Sequence, residues 1–259
     1  LEITYCLREK TIRAMIDLLR IPPGSRGLDV GCGVGQPVMQ LAQAVGPEGL
    51  VMGVDAGADI LTRASGMATC GGPAEHIYFA RADFRRLPFK SNSFDWAWSV
   101  DGVGYAPVDP LPLVTEMTRV IRPGGILALA AWTSQQLLPG YPGLEARLNA
   151  TSAGIAPFRE SMPPERHFLR CGYLLERAGL RDIEVTTVPG DIRAPLDKAA
   201  QAALVSLFKM HWGAAETEVS KQDWSRYMRL SQPDSPKFIL NRSDYYAFFT
   251  YTVFYGKIA

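Results

Sequence analysis

Between residues 27 and 132 short apolar runs alternate with stretches of helical period, and this alternation constrains the fold more than any other feature of the chain. GLDV (27–30), LVMGVD (50–55), HIYFARAD (76–83), FDWAWSV (94–100) and ILALAAW (126–132) read as strands. PVMQLAQAVG (37–46), ADILTRASGMA (58–68) and LPLVTEMTRVI (111–121) read as helices, with Pro37 suited to a first turn and Gly46 to a stop. Near-continuous apolar strands separated by helices predict right-handed crossovers and a parallel sheet covered on both faces. Ligands of such sheets bind beyond the carboxyl ends of the strands, so the residues that close each strand are the first candidates for a site.

The flanks add to this core. YCLREKTIRAMIDLLR (5–20) places Leu7, Ile12, Ile16 and Leu19 at helical spacing and stops at Pro22-Pro23-Gly24. The turn Arg122-Pro123-Gly124-Gly125 is expected to precede the fifth strand. Residues 133–164 are rich in Pro, Gly and Ser without a clean period. ERHFLRCGYLLERAGL (165–180) then predicts a helix stopped at Gly179, and DIEVTTV (182–188) a strand. Residues 189–244 hold amphipathic patches, notably KAAQAALVSLFKMHW, and YYAFFTYTVFYGKI (245–258) predicts a final strand or two. The expected organisation is one domain. It has an N-terminal helical stretch (1–24), a core (25–133, 165–188 and 245–259) and mainly helical cap insertions (134–164 and 189–244).

A chain of 259 residues with 47% hydrophobic and 20% charged residues suffices for one large α/β domain. A formal charge of +1 gives a nucleic-acid partner no support. The opening LEITYCLREKTIR is charged, and no stretch of 18 uncharged apolar residues occurs, so neither a signal peptide nor a transmembrane segment is expected and the predicted location is cytoplasmic. Cys6, Cys32, Cys70 and Cys171 form no C-x-x-C pair and no histidine stands near them, so no metal site is predicted.

The first strand runs into LDVGCGVGQ (28–36), with glycines at 31, 33 and 35. A dinucleotide fingerprint would require glycine at 36, where this chain has Gln36. The following strands end in Asp55, in Ala82-Asp83 and in Ser99-Val100-Asp101. Such a rim repels phosphate and favours hydroxyls, amines or cations. Asp55 lies where an acid reaches a ribose diol, and Asp83 could accept a hydrogen bond from an adenine amino group with Phe84 against the ring. A cationic adenosine without pyrophosphate fits this pattern, and S-adenosylmethionine is such a molecule.

LDVGCGVGQ resembles the first motif of class I S-adenosylmethionine-dependent methyltransferases. VDAGADILTRA is similar to their acidic segment after the second strand, ADFRRLPFKSNSFDWAWSVDGVGY to the segment of strands three and four, and VIRPGGILAL to the turn before strand five. The LPF…NSFD wording resembles the type-11 branch that includes the quinone-biosynthesis enzymes. The resemblance implies a Rossmann-like, doubly wound, mostly parallel seven-stranded sheet whose antiparallel last strand would be TVFYGKI. It further implies that Gly31, Cys32 and Gly33 pass the methionine moiety, with Asp29 supporting the turn or the amino group and Gln36 opening the first helix. Asp55 would bind the ribose, Ala56 would line the adenine, Ala82, Asp83 and Phe84 would take its edge, and Ser99 would receive the methionine amino group.

The methyl acceptor is expected to be a small, apolar or aromatic molecule. Asp101, Tyr105 and Trp132 are candidates for contacting it, and His211, His167 and Tyr105 for a general base. Trp132, Leu137, Leu138, Phe158, Phe208, Met210 and Trp212 suggest an apolar lining or the cap's own core. An inactive protein that binds S-adenosylmethionine or S-adenosylhomocysteine as a regulatory or partner subunit would keep the same cofactor residues. A nicotinamide oxidoreductase is disfavoured by Gln36 and the acidic rim. An amino-directed DNA methyltransferase is disfavoured by SVDGVGY at the end of strand four.

Overall fold

A computed structural model describes residues 2–70, 75–103, 108–158 and 162–259. Seven strands form one sheet: β1 (Arg26–Val30), β2 (Leu50–Asp55), β3 (Ile77–Arg81), β4 (Phe94–Val100), β5 (Ile121–Gln136), β6 (Leu180–Arg193) and β7 (Tyr246–Ile258). Their order is β3-β2-β1-β4-β5-β7-β6. The five strands up to β5 pair in parallel, and the last strands run antiparallel. This is the Rossmann-like doubly wound sheet that the alternation predicts, and β2 and β4 have the predicted bounds.

The centre of the sheet is packed by large side chains that leave room for nothing else. Gly27 of β1 stands in register with Trp96 of β4, and a Cβ on Gly27 would lie 1.8 Å from Trp96 Cζ2. Trp96 is 2% exposed, and its indole Nε1 donates to Ser25 Oγ over 2.9 Å. Glycine is therefore required at 27 for space. Trp98, the next residue on that face, is fully buried. Asp95 fastens the other end of β4, accepting from the Arg26 amide at 2.7 Å and pairing with Arg122 at 2.8 Å.

Among the described residues eight α-helices accompany the sheet: α1 (Tyr5–Leu18), α2 (Gln36–Val45), α3 (Ala58–Cys70), α4 (Pro110–Val120), α5 (Pro142–Asn149), α6 (Cys171–Arg177), α7 (Lys198–Trp212) and α8 (Lys221–Ser231). Side-chain caps start three of them, with Asp109 accepting from the Leu111 amide, Asp197 from Ala200 and Ser220 from Asp223.

Three expectations change. The turn Arg122–Gly125 is absorbed as an irregularity inside β5, whose register against β4 shifts between Phe94 and Trp96, so the strand begins at Ile121. The helix expected over 165–180 is two single 3-10 turns, 164–166 and 168–170, followed by the short α6. Residues 142–149, read as irregular, form α5.

The chain divides into two compact units. One comprises Thr11–Thr133, Pro163–Val188 and Tyr251–Ala259 and holds β1 to β4. The other comprises Leu1–Lys10, Ser134–Met162 and Pro189–Thr250. Within the second unit the fully buried Glu145 accepts from the amides of Leu137 (2.7 Å) and Leu138 (2.9 Å), and Tyr245 donates its hydroxyl to the Leu137 carbonyl. Phe208 stacks on Trp212, whose indole donates to Asn149. Leu137, Leu138, Phe208 and Trp212 are thus buried in this unit's own core, one of the two readings their sequence allows, while Met210 is exposed. Among the described residues no helix is long and apolar enough to cross a membrane, and no group of three or more His, Cys, Asp or Glu is placed to hold a metal ion.

Candidate active site

The first unit carries a cleft of about 880 Å³ at the carboxyl ends of β2, β3 and β4, within the range of roughly 300–1,000 Å³ usual for small-molecule sites. Its lining includes Ala56, Ala82, Asp83 and Phe84 from the second and third strand ends and Asp101 and Gly102 from the fourth. Arg81, Arg85, Val108 and Leu113 also line it.

The glycine turn is held by its own amides. Gly31 and Cys32 both donate to the Val54 carbonyl, at 2.8 and 3.0 Å, Gly33 donates to Asp55 Oδ2 at 3.1 Å, and Gly35 donates to the Cys32 carbonyl. Gly31 and Gly35 have φ of +84° and +82°, a backbone region costly for residues with a Cβ. A Cβ on Gly31 would stand 3.4 Å from Gly102 and 3.8 Å from the Phe84 ring, so three strand ends close in around this residue. Gln36 opens α2 behind Gly35 and is half-buried. Cys32 is buried beneath the turn, and burial pushes its thiol pKa up, leaving it an inert small side chain.

Asp29 lies below the turn in register with Gly53 and Trp98. It is fully buried, and neither carboxylate oxygen has a hydrogen-bond partner among the described residues. Burial first, and the nearby charge of Asp55 second, push its pKa up to about 8. Asp55, at the end of β2, is tethered through both oxygens, to the amides of Gly33 and of Gly57 (3.0 Å). The Ala56 carbonyl accepts from Arg81 Nε at 2.9 Å, and the Ala82 amide donates to the Asp55 carbonyl at 3.0 Å, which joins the second strand end to the third.

Asp83 is exposed and gripped by Arg85, whose Nη2 lies 2.7 Å from Oδ2 and whose amide donates to Oδ1. These hydrogen bonds hold the Asp83 carboxyl down at about 2. The loop that follows is fixed by α4. Glu116 accepts from the Leu87 amide at 2.7 Å, and Arg119 binds Glu116 and donates to the carbonyls of Leu87 and Phe89. Phe89 meets Phe94 edge-on, with centroids 5.0 Å apart. The LPF…NSFD wording is therefore a clamp that sets the loop carrying Asp83 and Phe84. Arg119→Ala is expected to cost about 2 kcal/mol through the lost charged hydrogen bonds and to weaken cofactor binding severalfold, read by thermal unfolding and calorimetry.

Ser99 is 1% exposed and its hydroxyl accepts from the Val103 amide at 3.0 Å. That hydroxyl closes the turn after β4. Asp101 has φ +52° and accepts from the Trp132 amide (3.0 Å) and from the Tyr251 hydroxyl (2.6 Å). Trp132 and Tyr251 meet edge-on at 5.7 Å. Asp101 and Trp132 are thereby brought together, whereas Tyr105 lies outside the described residues.

The two candidate histidines differ in their surroundings. His167 is not helical: it stands between the two 3-10 turns, and its Nδ1 accepts from the Leu169 amide at 3.2 Å as a cap. It is absent from the lining of the cleft. His211 is on α7 in the second unit, where burial pulls its pKa down to about 4 and keeps it neutral above that pH. Residues not expected from the sequence are Gly57, Arg81 and Tyr251, whereas Arg85 makes the pairing with Asp83 that its place two residues on allows. The D-x-G spacing of Asp55 and Gly57 is a turn signal that could have revealed the first. Nothing local links Tyr251 to Asp101, 150 positions away.

The family profile described as a methyltransferase domain matches residues 28–125. The chain is 28% identical to the 27-O-demethylrifamycin SV methyltransferase of Amycolatopsis mediterranei, over 90% of this chain and 83% of that protein. It is 30% identical to methyltransferase GfsG of Streptomyces halstedii, over 86% of this chain and 76% of that protein. Among solved structures, Haemonchus contortus phosphoethanolamine N-methyltransferase 2 in complex with S-adenosyl-L-methionine shares the fold with a TM-score of 0.54 at 18% identity. That alignment covers 96% of this chain and about half, 52%, of the other. With the glycine turn, the strand-end acids and the sheet order already in place, these matches settle the family: the chain belongs to the class I S-adenosylmethionine-dependent methyltransferases.

Proposed function

We propose that the cleft binds S-adenosylmethionine with its adenosine along Ala56, Ala82, Asp83 and Phe84, its ribose on Asp55 and its amino-acid end at Gly31–Gly33. In this reading the methyl group passes to a small, apolar or aromatic acceptor by in-line displacement. The observation that carries it is the tethered Asp55 beside a glycine turn whose amides at Gly31, Cys32, Gly33 and Gly35 are all engaged within the protein. A phosphate-binding turn presents its N–H groups to the ligand. Here those N–H groups are occupied, which suits a cationic ammonium and not an anion. The buried carboxyl of Asp29 beneath the turn, without a hydrogen-bond partner among the described residues, becomes a countercharge when a cation above it draws off its proton, and so fits a cationic cofactor.

When bound, the cofactor supplies an electrophilic methyl group. The chain's own residues position it: Asp55 fixes the ribose, the Phe84 ring lies against the turn at Gly31, and the Arg119 clamp holds the loop that follows Phe84. Positioning of reacting groups at about 3–3.5 Å accounts for much of the rate of such displacements. The apolar character of the acceptor is supported by Val108 and Leu113 in the lining. Relatives named for 27-O-demethylrifamycin SV and for cycloartenol support a small-molecule acceptor. Incubation of the protein with deuteromethyl-labelled cofactor and a hydrophobic metabolite extract tests this. The expected result is label in organic-extractable small molecules, and label confined to protein or nucleic acid contradicts it.

Asp29 gives a pH dependence. Its folded carboxyl binds a proton more tightly than an unfolded one, so between about pH 4 and 8 the native state holds the extra proton and stability falls as pH rises. A cation above the turn favours the ionised form, so cofactor binding releases a proton below about pH 8 and tightens as pH rises toward that value. Asp29→Asn should flatten this dependence in calorimetric titrations run in buffers of different ionisation enthalpy.

A further inference from the structure

Among the described strand-end carboxylates, Asp101 is the one engaged by the side chain of a residue distant in sequence. Asp55 is tethered by the amides of its own turn and of the glycine turn, and Asp83 by its neighbour Arg85. Asp101 is held instead from two other strands, by the Trp132 amide of β5 and the Tyr251 hydroxyl of β7. Tyr251 is fully buried and its phenol donates over 2.6 Å, a charge-assisted distance. The Asp101 amide in turn donates to the Ala130 carbonyl at 3.0 Å, and the residue is held at φ +52°, a conformation unusual for a residue with a Cβ. Strained, over-determined backbone of this kind is characteristic of functional positions. The result is a carboxylate held from β5 and β7 that lines the cleft beside Gly102, the residue a Cβ on Gly31 would approach to 3.4 Å.

We propose that Asp101 is the catalytic base that meets the methyl acceptor, that Tyr251 is its positioning residue, and that the acceptor therefore presents an N–H or O–H group. An ionised carboxylate accepts more than one hydrogen bond per oxygen, so bonds from Tyr251 and Trp132 orient it while it accepts from a ligand. In the step this supports, the acceptor X–H gives its proton to Asp101, and the lone pair on X forms the new X–C bond. The electrons of the broken S–C bond stay on sulfur as a neutral thioether, and the proton leaves Asp101 for water. The buried phenol hydrogen bond keeps the carboxylate pointed at X–H without changing the charge count of the site.

This inference rests on the cofactor placement proposed above, and its test separates the two. Sinefungin carries a C–NH3+ group where S-adenosylmethionine carries S+–CH3, and S-adenosylhomocysteine carries nothing there, so the ratio of their dissociation constants reads contact with the transfer point alone. The ratio is measured by calorimetry for the wild-type chain, Asp101→Asn and Tyr251→Phe. The expected result is a sinefungin preference that falls by about tenfold or more in Asp101→Asn, the scale of a lost charged hydrogen bond. It falls by a smaller factor in Tyr251→Phe, while S-adenosylhomocysteine affinity stays within about twofold in both, which also reports that the variants are folded. Equal effects on the two ligands, or an unchanged ratio in Asp101→Asn, overturn the assignment of Asp101. A drop in Asp101→Asn with none in Tyr251→Phe overturns the positioning role of Tyr251. Failure of both ligands to bind the wild-type chain overturns the cofactor placement and the inference with it.

Discussion

Asp55→Ala is expected to weaken S-adenosylhomocysteine binding by about two orders of magnitude. In the proposed complex the variant loses a charged acceptor for the ribose hydroxyls, and hydrogen bonds to charged groups contribute roughly 1.5–3 kcal/mol each. It also releases the amides of Gly33 and Gly57, which Asp55 holds at 3.1 and 3.0 Å, so the turn that shapes the methionine end loosens at the same time. These contributions separate with a ligand lacking the 2′ and 3′ hydroxyls. That analogue should bind the wild-type chain far more weakly than S-adenosylhomocysteine does, and the two should bind Asp55→Ala nearly alike. If the hydroxyls matter equally in both proteins, Asp55 serves the turn alone.

The largest stability effect is expected at Gly27. A Cβ there would overlap the Trp96 ring at 1.8 Å, and Trp96 is hemmed in by its hydrogen bond to Ser25 and by full burial. Overpacking of a rigid core typically costs 1–3 kcal/mol and sometimes more, and this overlap is with an indole that has nowhere to move. Gly27→Ala is expected to cost about 3 kcal/mol, lowering the melting temperature by roughly 6–12 °C for a chain of this size. The double variant Gly27→Ala with Trp96→Leu should be less unstable than the sum of its parts, because the smaller side chain removes the clash. Strict additivity of the two costs would mean that the steric explanation is incorrect.

Much of this architecture was legible before the fold was known, for physical reasons that differ from element to element. β2 and β4 are short, apolar and bounded by acids and turn residues, so their limits appear in the sequence itself. α7 begins at an aspartate cap and ends at Gly213, and its predicted span is the observed one. α5 was not legible because a buried Glu145 occupies a position where an apolar residue would mark the helical face. β5 was foreshortened because Pro123, Gly124 and Gly125 signal a turn, and only the tertiary pairing with β4 absorbs them as an irregularity. The segment around His167 has helical spacing but yields two 3-10 turns, which shows how weakly a short apolar period fixes helix type.

The site divides in the same way. Strand-end residues such as Asp55, Ala82 and Asp83 follow from topology: Asp55 stands on the glycine turn, and Ala82 and Asp83 line the cleft with Phe84. What a side chain does there depends on partners that spacing does not reveal. Ser99 turns its hydroxyl into its own loop, and Asp83 is held by Arg85. Asp101 gains its importance from a tyrosine that enters from the last strand.

The most direct measurement is a crystal structure of the chain with S-adenosylhomocysteine. The expected result is the ribose hydroxyls at about 2.6–3.2 Å from the Asp55 carboxylate, with the adenine beside Phe84 and the homocysteine end over Gly31–Gly33. Ligand bound with its ribose on another residue, or outside the cleft lined by Ala56, Ala82, Asp83 and Phe84, would contradict it.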